Sequence, residues 1–103
     1  MIGIGKWSCS IDTMMFRGDA IVTIADKGGE YEITAEVPGY TMPDYTVKDI
    51  KEDGGTLTFV VMTSLLSGKE LPVSMTFDGD TFTGFGKVPL LGKVKFKNGK
   101  RIG

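Results

Sequence analysis

The chain has 103 residues, 41% of them hydrophobic and 24% charged, with a single cysteine, no histidine and a formal charge of -1. That length supports one domain around one core, here residues 1–103, and one cysteine excludes a disulfide-stapled scaffold. Without histidine the commonest general base, the usual zinc ligand and every Ser-His or Cys-His pair are missing, so neither catalysis nor a resident metal or cofactor is expected. The run from Met1 to Trp7 lacks a long apolar stretch behind a basic start, which argues against a secretory leader and for a cytoplasmic protein.

A period of 25 residues organises the sequence. Gly29, Gly54 and Gly79 close successive blocks, and Met15, Tyr40, Leu65 and Leu90 mark the block centres. Such a block is too short for a strand plus crossover helix and suits two strands of about 8 to 10 residues. The expectation is an all-β fold of eight antiparallel strands in up-and-down order. The first strand runs from Gly5 to Asp12, with Trp7, Cys9 and Ile11 on one face, and a break at Thr13–Gly18 leads into Ala20–Ala25. In the next block Tyr31, Ile33, Ala35 and Val37 face inward against Glu30, Glu32, Thr34 and Glu36. After Pro38–Pro43 a strand covers Asp44–Lys51 with Tyr45 and Val47 inward; Ile50 falls out of phase and predicts a bulge near Lys48-Asp49.

The third block places Leu57, Phe59 and Val61 inside, turns at Leu65–Gly68, and returns with Leu71, Val73, Met75 and Phe77. In the fourth, Phe82 points in, followed by Gly84 and Gly86; after the Val88–Gly92 turn, Val94 and Phe96 point in. Two inward glycines predict a sharp bend or a close approach to the backbone, the bend being preferred. Eight alternating strands keep two liable edges unless the sheet closes, so a closed barrel is expected. Outward glutamates and lysines argue against a barrel embedded in a membrane.

Charge is unevenly spread: residues 1–80 hold 13 acids and 6 bases, whereas residues 81–103 hold 6 bases and no acid. Lys93, Lys95 and Lys97 alternate with Val94 and Phe96 and share one face. Such a stripe suits phosphate contacts, but no aromatic residue lies among the lysines to stack on bases, so nucleic acid is not an expected partner; a solvated face or a protected sheet edge is the preferred reading. Glu30, Glu32 and Glu36 form an acidic counterpart, which leaves a homo-oligomer open.

The tripeptide Gly5-Lys6-Trp7, together with Lys100-Arg101 after the last strand, resembles the calycin signature of lipocalins. The resemblance implies that Trp7 sits at the closed end of the barrel under a basic side chain, Lys100 or Arg101, as a cation-π lid. The chain is much shorter than a lipocalin and lacks the C-terminal helix and the other motif stretches. Its repeated loops at Thr13–Gly18 and Val88–Gly92 look more like those of small bacterial eight-stranded barrels, from which no activity transfers.

Asp78-Gly79-Asp80 reads as a hairpin turn rather than half a cation loop, and Glu52 and Asp53 read as solvated turn acids. The interior offers Tyr31, Tyr45 and Cys9 as polar anchors in an apolar setting. Met15, Tyr40, Leu65 and Leu90 belong to apolar loops brought to one rim, where they plug the barrel, guard a mouth or contact another protein. The expected function is non-enzymatic binding of a small apolar or amphipathic molecule, with Met15, Tyr31, Tyr40, Tyr45, Leu65 and Leu90 as its residues. The alternative is an interaction module using outward Val60, Met62 and Phe85. With so many large inward side chains, the barrel is expected to be mostly packed, any small cavity lying beside the space that Gly84 and Gly86 leave.

Overall fold

The computed structural model describes residues 1–13, 17–39, 44–63, 69–89 and 91–103. They form eight antiparallel strands: β1 (Gly5–Asp12), β2 (Arg17–Lys27), β3 (Glu30–Glu36), β4 (Tyr45–Asp53), β5 (Thr56–Thr63), β6 (Glu70–Asp78), β7 (Thr81–Val88) and β8 (Gly92–Arg101). The order across the sheet is β3-β2-β1-β8-β7-β6-β5-β4, an up-and-down meander whose first and last strands pair with each other. The sheet curls into a nearly closed barrel without helices among the described residues. Accordingly, no helix there is long and apolar enough to cross a membrane.

Three two-residue turns gather at the end where the chain begins and finishes. They are bracketed by the pairs Lys27–Glu30, Asp53–Thr56 and Asp78–Thr81. In the first, Gly28 and Gly29 both take positive φ, 66° and 92°, the geometry that matches strand twist and favours glycine. The strand ends at Asp12, Arg17, Glu36, Tyr45, Thr63, Glu70, Val88 and Gly92 lie at the opposite rim. The break after β1 is shorter than the alternation predicts: Asp12 already pairs with Arg17, and a 2.9 Å ion pair between them extends the ladder three residues beyond Ala20 toward the rim.

Two bulges set which residues face the core. The expected one in β4 is present between Lys48 and Lys51, with Asp49 at φ 54°. It returns Ile50 to the inward face and carries Glu52 inward with it, opposite buried Leu57. The second, at Asn98 in β8 (φ 55°), was not foreseen; it turns Gly99 toward Phe82 and sends Lys100 outward and Arg101 back to the closed end.

The core comprises Trp7, Cys9, Ile24, Ile33, Leu57, Phe59, Val73, Met75 and Phe82. Near the closed end Trp7 packs tilted on Phe77, with centroids 4.9 Å apart, and edge-on against Phe82 at 5.7 Å. The close approach that Gly84 and Gly86 allow for is made by a side chain. The Phe96 ring lies across both, 3.2 Å from where a Cβ would stand at Gly84 and 3.6 Å from one at Gly86. The glycines therefore admit a ring rather than a ligand.

Candidate functional site: the seam between β3 and β4

Closure fails at one place. Among the described residues no ladder joins β3 to β4, the two ends of the sheet order, so the expected complete closure is corrected to a barrel with one open seam. Side chains cross where backbone would otherwise pair. The Tyr45 hydroxyl accepts a hydrogen bond from the Ala35 amide (2.9 Å) and donates to the Ala35 carbonyl (3.3 Å). Ladder strands stand about 4.8 Å apart, a gap shorter than a tyrosine side chain, so Tyr45 acts as a wedge that serves the edge of β3 while holding β4 away from it. Because an antiparallel strand alternates its bonding direction, the peptide groups of Ile33 and Tyr31 face the same seam as those of Ala35.

At the closed end the second tyrosine makes a different crossing. Tyr31 donates to the Glu52 carboxylate and accepts from the Ile2 amide at 2.8 Å, while the N-terminal ammonium lies 3.8 Å from Glu52. Burial first, and then the bond to Glu52, push the Tyr31 phenol above its ordinary pKa. Glu52 is exposed, as its place beside the turn suggested, and it is also a bridging group. The signal that finds it is Ile50: once that residue is placed inward by the bulge, alternation puts Glu52 inward too.

Between the two bridges lies a cleft of about 330 Å³ lined by Tyr31, Glu32, Ile33, Thr34, Tyr45, Val47 and Ile50. Ile33, Val47 and Ile50 supply the apolar part of its lining, Glu32 and Thr34 the polar part, and the two phenols, each already hydrogen-bonded within the protein, stand at either end. Of the sequence-derived binding residues, the structure brings Tyr31 and Tyr45 together here. Met15, Tyr40, Leu65 and Leu90 lie outside the described residues. Cys9 is not part of the cleft; it is buried in the core, and burial above all, then the charge of Asp19, pushes its thiol up to about 11. That environment suits a space-filling apolar group and opposes a thiolate nucleophile.

The closed end is built around Trp7, which is fully buried, with its indole Nε1 donating to the Gly3 carbonyl at 2.8 Å. Arg101 stands over the ring, its guanidinium carbon 4.4 Å from the centroid, and donates to the Ile4 carbonyl (2.7 Å) and the Asp80 carboxylate (3.1 Å). Lys100 is not on the ring; it is exposed on the outer face. A second, larger groove of about 590 Å³ lies on the outer surface, where Val60, Pro72 and Phe85 are flanked by Asp49, Lys51 and Lys87. Among the described residues no group of three or more His, Cys, Asp or Glu could hold a metal ion. Compared with protein families, with curated proteins and with solved structures, the chain matches none.

Proposed function

We propose that this barrel is a non-enzymatic, cytoplasmic binding protein that takes up a small apolar or amphipathic molecule at the β3–β4 seam, with Met15, Tyr40, Leu65 and Leu90, which lie outside the described residues, as further candidate contacts. The observation that carries the reading is the cleft itself: at about 330 Å³ it falls at the small end of ligand pockets, and apolar Ile33, Val47 and Ile50 line it beside Glu32, Thr34 and the two tyrosines. Val47 and Ile50 pack against the buried core behind this cleft. A lipocalin-like ancestry would fit the Trp7–Arg101 closed end, and the lone buried thiol fits a reducing compartment.

Titration with a neutral fluorescent apolar probe tests this. Saturable binding that weakens in Ile50→Glu, at the seam, and in Leu65→Glu supports it; unaltered binding in both variants refutes it. Binding by none of the three proteins turns the choice to the second reading, a module that associates through its outer strands, which the exposed groove around Val60, Pro72 and Phe85 favours. Sedimentation of wild type and Val60→Glu would then report that association.

A further inference from the structure

The lysines of β8 acquire a different meaning in the folded barrel. Protecting a sheet edge does not account for them, since β8 pairs with β1 on one side and β7 on the other; the edges are β3 and β4. The Asn98 bulge adds Lys100 to Lys93, Lys95 and Lys97, so four amines run down one exposed strand face. Lys87 on β7 stands directly opposite Lys93, a like-charge cross-strand pair that disfavours the bare sheet. None of these five lysines takes part in an ion pair among the described residues.

An aromatic residue, missing from the linear sequence, comes from the neighbouring strand. Phe85 pairs across the ladder with Lys95, points outward and is half-buried, and the Lys93 ammonium rests 4.1 Å from its ring centroid. The face thus combines a line of positive charges with an aromatic platform, and Ser8 and Ser10 on β1 border it opposite Lys100 and Lys97. Alternate residues on a strand are about 6.8 Å apart, a spacing comparable to successive phosphates of an extended nucleic acid strand.

We propose that the outer face of β7 and β8 binds single-stranded nucleic acid, with the lysines along its phosphates and an unpaired base stacked on Phe85. A duplex would present the phosphates but withhold the base, so single strands are preferred. The charge pattern and the platform together make the site; charge alone would serve any anionic surface.

The test is fluorescence anisotropy with a labelled twelve-residue oligothymidylate at low salt, repeated over a salt series. Binding is expected to weaken with salt at about -0.7 in log K per log salt for each lysine engaged, so Lys95→Gln with Lys97→Gln should flatten the slope by roughly 1.4. Phe85→Thr should lower affinity about tenfold while leaving the slope in place. Circular dichroism melts establish that the variants remain folded, and Lys27→Gln, on β2 away from this face, should bind the oligomer like wild type. Absence of oligomer binding, equal binding of a duplex, a slope insensitive to the lysine changes, or affinity unchanged by Phe85→Thr would each overturn the proposal. So would vesicles of anionic lipid binding in place of the oligomer, or self-association that the same lysine changes abolish.

Discussion

Arg101 occupies the place of a side chain at Gly5. A Cβ built on Gly5 would fall on the guanidinium, far inside van der Waals contact, and the residue's φ of 139° is one that side chains rarely adopt. The glycine of Gly5-Lys6-Trp7 is therefore required by the arginine that covers the tryptophan. The C-terminal residues complete the arrangement, with Ile102 donating to the Lys6 carbonyl at 2.7 Å and the Lys6 amide donating to Gly103 at 3.1 Å. First and last strands are locked where the chain's ends meet.

Replacing Gly5 by alanine should cost about 2 to 4 kcal/mol, from backbone strain and the displaced guanidinium together. Arg101→Ala alone loses the cation-π contact and the bonds to Ile4 and Asp80, and the double variant should be less damaged than the two single losses added, because the clash is gone. Urea denaturation of the four proteins measures the cycle. Simple additivity would show that Arg101 does not press on residue 5.

The two inward glycines of β7 separate cleanly. A Cβ on Gly84 would run into the Ser74 carbonyl, which is backbone and cannot yield, whereas at Gly86 the nearest atom is a Leu71 methyl at 3.5 Å. Gly84→Ala should destabilise by about 1 to 3 kcal/mol, and Gly86→Ala should change stability by less than about 1 kcal/mol. Paired denaturation curves decide; equal losses would mean that the Ser74 carbonyl does not crowd Gly84 as described.

Alternation and turn residues made the eight strands legible, because period-two patterning and two-residue Gly turns are local physics that the chain states directly. The β4 bulge was legible for the same reason, since Ile50 breaks the phase. The seam was not. Nothing in the residues near Tyr45 says that its hydroxyl will satisfy Ala35 across a gap, a relation between positions ten apart that exists only once the strands have curled. Phe85 likewise looked isolated from the lysines, because register, not sequence distance, sets it beside Lys95. Which group approaches Gly84 and Gly86 was not legible, because an inward glycine signals close approach without naming what approaches.

Cys9 should make stability depend on alkaline pH. Its folded thiol is pushed up to about 11 against 9.0 for a free one, so the folded state holds the proton through a range where the unfolded chain gives it up. The stabilising contribution is complete below pH 9 and declines as pH rises toward 11, a gap corresponding to roughly 2 to 3 kcal/mol. Cys9→Ala lacks the proton and lacks this decline. Denaturation at several pH values between 8 and 11 should show the wild type losing stability faster than the variant by about that amount; parallel curves would place the thiol in contact with water.

Tyr45→Phe tests whether the tyrosine is a wedge or a bystander. The change removes one oxygen and leaves ring packing nearly intact, but it strips both partners from the Ala35 peptide. If the wedge picture holds, β3 and β4 stay apart, the Ala35 amide and carbonyl turn to whatever water reaches the seam, and stability falls by about 1 to 3 kcal/mol. Native-state hydrogen exchange should then show the Ala35 amide accelerating well beyond what the global loss explains, while the amide of Leu57, in the core strand β5, changes only with the global value. If instead the strands zip together once the hydroxyl is gone, Ala35 keeps its protection through a direct ladder and the seam closes. That outcome would remove the cleft lined by Ile33, Val47 and Ile50, and the variant would fail to take up an apolar probe despite being fully folded.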